Sequence, residues 1–123
     1  MKSILEEALE VSGQNRQRDY GHPLVNHERI AAVWNVVLGP KLSKPITPEE
    51  VVWCMIGVKL AREVNTPKRD NALDVAGYVN CLDLIQQERF NKVLEKTFET
   101  DGFAVRPKYP AWSPDGPLET KVA

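Results

Sequence analysis

The sequence predicts an all-α, four-helix bundle-like domain over residues 1–100, followed by a Pro-rich irregular tail over 101–123. Three observations carry that expectation. Apolar residues recur at helical spacing in four runs, and no stretch alternates with the period of two that a half-buried strand needs. Helix start and stop signals bracket the runs. Pro107, Pro110, Pro114 and Pro117 crowd the end of the chain, where they break regular structure, with Tyr109 and Trp112 between them.

The first helix is expected over Lys2 to Val11. Ser3 is placed to cap it, Glu6 follows as in a capping box, and Ile4, Leu5, Ala8 and Leu9 form its apolar face. Ser12-Gly13 reads as its stop. Gln14 to Pro23 then reads as a polar loop, with a turn at Tyr20-Gly21 in which glycine takes a positive φ. A second helix is expected from Pro23, a favoured first helical residue, to Leu38, with Ile30, Val33, Trp34, Val37 and Leu38 on its inner face. Gly39-Pro40 ends it.

Thr47-Pro48-Glu49-Glu50 is the clearest start signal: a natural N-cap, proline at the first helical position, and glutamate completing a capping box. The helix that follows is apolar almost all round from Val51 to Val58, a pattern expected of a central helix covered by others. After the breaker Asn65-Thr66-Pro67, a fourth helix is expected from about Lys68 to Glu99, with a bend near Gln86-Gln87 and an amphipathic later half through Phe90, Val93, Leu94 and Phe98.

Bulk properties narrow the class. A chain of 123 residues, 42% hydrophobic and 27% charged, fits one domain with a modest core. A formal net charge of −1 gives no global attraction to nucleic acid or to an anionic membrane. No apolar run is long enough to span a bilayer, and the N-terminus has no signal-peptide block, so a cytoplasmic protein is expected. Cys54 and Cys81 sit inside apolar helical runs and read as buried reduced thiols. There is no glycine-rich phosphate loop, no CxxC and no GxSxG.

The chemistry concentrates between Val51 and Ile85. If the two helices on either side of the breaker form an antiparallel hairpin, Lys59 lies opposite Asp74 and Glu63 opposite Asp70, with Arg62 beside them. Both charged stripes run into apolar ones, so these charges point towards a core end, which is costly unless they are paired or bound. Two readings stay open. Glu63, Asp70 and Asp74 can form a Mg²⁺ or Mn²⁺ site, since hard cations take carboxylate oxygens and bridge to phosphates. Equally, Lys59 with Asp74 and Arg62 with Asp70 can close the hairpin as ion pairs.

A second constellation is cationic. Lys59 and Arg62, with Arg16 and Arg18 from the loop, would hold a di- or triphosphate if the loop folds over the hairpin end; the plainer reading is solvated loop arginines, above all for Arg16. Tyr20, Tyr78 and Asn71 are candidate lining residues for an attached base, whereas Trp34 and Trp53 read as core. His22 and His27, five apart, read as surface histidines, with His27 and Glu28 a weaker acid–base candidate.

The pattern Arg16-x-Arg18-Asp19-Tyr20-Gly21, Arg29-Ile30-Ala31 with Trp34, Lys59-x-Ala61-Arg62, Asp70-Asn71, Asp74 and Gly77-Tyr78 resembles a family of small phage and prophage proteins of unknown function. The match runs from about Ile4 to Ile85. If phage-encoded, the protein belongs in the host cytoplasm. More distantly, Asp70, Asp74 and the run Val75 to Ile85 are similar to the second metal-binding helix of the all-α, MazG-like NTP pyrophosphohydrolases. That resemblance implies hydrolysis of a nucleoside triphosphate to monophosphate and pyrophosphate. Glu63, Asp70 and Asp74 would hold Mg²⁺, Lys59, Arg62 and Arg18 would bind phosphate, Tyr78 would line the site, and the protein would be a homo-oligomer. The chain lacks the family's ExxE motif, carries Lys59 and Arg62 where acids stand, and spaces its acidic pair by four instead of three. The alternative is a phage accessory protein that binds a nucleotide, another small phosphorylated ligand or a protein without catalysis.

Overall fold

The computed structural model describes residues 1–101. Every regular element among them is helical. The order is α1 (Ile4–Glu10), a π-helical turn (Val11–Asn15), α2 (Arg16–Tyr20), α3 (Pro23–Leu38), a 3-10 turn (Gly39–Lys41), α4 (Pro48–Asn65) and α5 (Arg69–Asp101). Because α1, the π turn and α2 follow one another without a break, the all-α expectation is met with four helical segments. No described helix is long and apolar enough to cross a membrane. Met1–Gln86 forms one compact unit; the described part of a second unit is the stretch of α5 from Gln87 onward. The tail expected to carry Tyr109 and Trp112 lies outside the described residues.

The start signals work as their chemistry predicts. Ser3 and Glu6 form a complete capping box on α1, and Thr47 and Glu50 form one on α4, each satisfying two otherwise orphaned backbone N–H groups. Pro23 opens α3, with the His22 ring accepting a hydrogen bond from the Leu24 amide at 3.0 Å. Gly21 takes φ +82°, and its N–H donates to the Gln17 carbonyl at 2.8 Å. That is a left-handed helix stop, one residue beyond α2.

The expected loop from Gln14 to Pro23 is overturned as far as Tyr20, which is helical. Ser12-Gly13 does not stop the first helix. The Ser12 hydroxyl donates back to the Ala8 carbonyl at 2.6 Å and accepts from Asn80 Nδ2 at 2.7 Å, so this buried serine is satisfied within the helix and against α5. The chain widens into a π turn, with the Arg16 N–H reaching the Val11 carbonyl five residues back. The Glu7 carboxylate also binds Arg69 at 2.7 Å, tying α1 to the start of α5.

The core gathers Leu24 of α3, Val52 and Ile56 of α4, and Tyr78 and Ile85 of α5, with Met55, Val75 and Leu82 packed against it. The inner face of α3 differs from the expected one. Leu24, His27 and Ala31 are buried, whereas Trp34 is only half-buried and Val33 and Val37 are exposed. Asn35 fixes this roll, donating to the Ile46 carbonyl at 3.1 Å and accepting from the Ile46 amide at 2.7 Å. Residues 24, 27, 31 and 35 share one stripe, and Val33 and Val37 fall opposite it. Nor is α4 covered all round: Trp53, Leu60 and Val64 are exposed, and so is Cys54, which corrects the readings of Trp53 as core and of Cys54 as a buried thiol. Only Val51, Val52 and Ile56 of α4 are buried.

Candidate functional site

The α4–α5 hairpin builds the first part of the site. Helix α4 ends at Asn65, and Thr66, Pro67 and Lys68 turn the chain into α5. Proline here offers no N–H through which α4 could continue. Glu63 reaches forward across the turn. Its Oε2 accepts the Lys68 backbone N–H at 3.1 Å and the Asn71 side-chain amide at 2.9 Å. These two hydrogen bonds, from Asn71 first and Lys68 second, hold the Glu63 carboxyl below its usual value. Glu63 thus anchors the first turn of α5.

Lys59 and Asp74 meet as the hairpin register predicts. Lys59 Nζ lies 2.9 Å from Asp74 Oδ2, with the two side chains only 15% and 26% exposed. Around this pair opens a cleft of about 660 Å³, lined among others by Lys59, Arg62, Lys68, Asp70, Asn71 and Asp74. The side chains of Arg62, Lys68 and Asp70 have no ion-pair partner among the described residues. With Lys59 and Asp74 neutralising each other, the cleft carries one net positive charge.

The three carboxylates do not converge. Among the described residues no group of three or more His, Cys, Asp or Glu is arranged to hold a metal ion. Asp74 is engaged by Lys59 and Glu63 by the α5 terminus, which leaves Asp70 as the carboxylate of the three without a side-chain partner among the described residues. The three carboxylates thus do not form a preassembled three-ligand centre among the described residues.

The loop arginines also divide differently from expectation. Arg18 is exposed and turned to Asp19, 3.8 Å away, and borders none of the described cavities. Arg16 instead stands over the Tyr78 ring, 5.7 Å from its centroid, within cation–π range. It does not reach the hairpin cleft. With Tyr20, Asn26, His27, Met55 and Tyr78 it walls a separate cavity of about 310 Å³. Tyr78 itself is buried in the core beneath it.

His27, expected at the surface, is instead only 5% exposed. Its signal was the i, i+3, i+7 stripe Leu24, His27, Ala31, masked by the more apolar Val33 and Val37. Burial, and secondarily the charge of Arg16, lowers its pKa, against the opposing pull of the Pro23 hydrogen bond. A histidine pKa depressed by folding stabilises the fold above its unfolded value, 6.5, and that stability is lost as pH falls from there through the folded value. Urea midpoints should therefore fall between about pH 7.5 and 5, and His27→Gln should flatten the fall. Cys81 lines the same cavity. Burial pushes its thiol up, against a smaller lowering effect of Arg16, so it is a protonated thiol at neutral pH and a poor nucleophile.

Residues 3–86 match the model of a family described as a domain of unknown function, DUF6378. That stretch ends where the compact unit Met1–Gln86 ends, so it contains both the cleft and the cavity. The chain is 39% identical over 94 residues to the Gene 55 protein of Mycobacterium phage L5, covering 73% of this chain and 58% of that protein. It is 38% identical over 88 residues to the Gene 55 protein of Mycobacterium phage D29, covering 71% and 56% respectively. The chain thus spans rather more than half the length of these curated relatives. No solved structure matches it.

Proposed function

The chain belongs to the DUF6378 family, and on that premise we propose that it is a phage-type accessory protein that binds a phosphorylated small molecule, a nucleotide in the first instance, in the hairpin cleft. The observation that carries the reading is the pair Arg62 and Lys68: two cations lining the cleft, without a carboxylate partner among the described residues. Arginine offers a planar fork of donors to phosphate oxygens and lysine a mobile point charge. Asn71, held in place by Glu63, and Lys59, held by Asp74, complete a pre-positioned rim. Tyr20 and Tyr78 belong to the neighbouring cavity, and Arg18 has no part in this reading.

The narrower reading, MazG-like hydrolysis of a nucleoside triphosphate with Glu63, Asp70 and Asp74 as metal ligands, is less well supported. Two of those carboxylates already hold structural partners, and a hydrolytic site needs them free. Binding without hydrolysis asks nothing of them. Arg62→Ala and Lys68→Ala should each weaken pyrophosphate binding about tenfold or more, the loss expected for one charge-assisted contact. Both residues are exposed, so the variants should fold normally. Thermal-shift titration with pyrophosphate checks this, and unchanged affinity in both variants would remove the cleft from consideration.

A further inference from the structure

The cavity beside Arg16 has the makings of a second recognition site. It is walled by apolar surface from Ile30, Met55 and Tyr78, with a few polar groups set into it. Its volume of about 310 Å³ is at the small end of ligand cavities, the size for one compact molecule. His27 is the decisive group. Its Nδ1 lies 2.7 Å from the Pro23 carbonyl, and a carbonyl only accepts, so Nδ1 carries the hydrogen. In the neutral ring, which burial favours, Nε2 is then a hydrogen-bond acceptor. It has no partner among the described residues, although His27 is almost wholly buried and lines the cavity.

Arg16 supplies the complementary donors. Its guanidinium rests on the Tyr78 ring and has no carboxylate partner among the described residues. The cavity therefore offers an acceptor atom on a largely buried ring, open to the cavity space, with a charged donor fork, the side-chain amide of Asn26 and an exposed aromatic, Tyr20, in its lining. We propose that it binds a flat heterocycle whose edge presents an N–H donor next to a carbonyl oxygen, the lactam edge of guanine, uracil or thymine. The ligand N–H meets His27 Nε2, its carbonyl meets Arg16, and its ring face lies on the aromatic and aliphatic walls. Adenine has no carbonyl for Arg16, and the carbonyl of cytosine has no neighbouring N–H in a nucleoside.

The cavity and the cleft lie along the same helix pair. Met55 and Lys59 are one turn apart on α4, and Tyr78 and Asp74 are one turn apart on α5. Combined with the reading of the cleft as a phosphate site, on which this step rests, the ligand becomes a nucleotide with a lactam base. The test is a chemical-shift titration of the ¹⁵N-labelled full-length protein with guanosine, uridine, adenosine, cytidine and, separately, pyrophosphate. Guanosine or uridine should perturb amides around His27 and Met55 and bind about tenfold more tightly than adenosine or cytidine. His27→Leu should erase that preference; if this variant does not fold, Arg16→Gln, on an exposed residue, should do so with pyrophosphate binding unchanged. No nucleoside binding at the cavity, or binding without base preference, overturns the inference even if pyrophosphate binds. Loss of pyrophosphate binding alone overturns only the cleft reading.

Discussion

Replacing Asp74 with alanine should lower the unfolding free energy by about 2 kcal/mol. The value lies between the near-zero worth of a solvated pair and the roughly 3–5 kcal/mol cost of breaking a fully buried one, because Lys59 and Asp74 are partly shielded. Most of the cost comes from leaving Lys59, whose side chain is 15% exposed, without its counter-charge. Removing both charges in Lys59→Met with Asp74→Leu should recover most of the loss. Urea denaturation of the two single variants and the double variant measures this directly. A metal-ligand role predicts the opposite for Asp74→Asn: activity gone and stability untouched.

A larger effect is expected at Ile85. Its side chain is fully buried among Leu24, Val52, Ile56 and Tyr78, and Ile85→Ala should cost about 3–4 kcal/mol through lost burial and the cavity left behind. For a domain of this size that is a fall in Tm of roughly 15–20 °C. Val64→Ala, on the exposed side of α4, should change stability by less than about 0.5 kcal/mol. Equal losses at the two positions would mean that the outer face of α4 is as closely packed as the core.

Local signals were the most legible part of the fold. Thr47 and Glu50, Ser3 and Glu6, Pro23 and Gly21 each specify a helix end by chemistry that acts within a few residues, and each does so in the structure. Signals that depend on distant partners were not legible. Ser12-Gly13 has the composition of a helix stop, yet Asn80, 68 residues away in sequence, donates to the Ser12 hydroxyl and lets the helix continue. The valines of α3 outweigh His27 in any count of apolarity, but the Asn35 contacts to Ile46 set the roll.

The candidate site was legible in the same way. Facing residues in a short hairpin are fixed by the turn, so the Lys59–Asp74 pair followed from sequence spacing alone. Which carboxylates remain available did not follow. That depends on Glu63 turning to the amides of Lys68 and Asn71, a choice made by side-chain geometry at the α5 terminus. Neither loop arginine joins the hairpin cleft, because Arg16 turns to Tyr78 and the neighbouring cavity and Arg18 to Asp19.

Whether the cleft binds phosphate without a carboxylate-bound metal is read from calorimetric titration of the full-length protein with GTP and UTP. It should be done in EDTA and again with Mg²⁺ or Mn²⁺, with ³¹P NMR following the nucleotide in each sample. Binding is expected in EDTA, weakened by Arg62→Ala, with the triphosphate intact throughout. Binding that requires the metal, together with release of pyrophosphate, would contradict this expectation and restore Glu63, Asp70 and Asp74 as a catalytic centre.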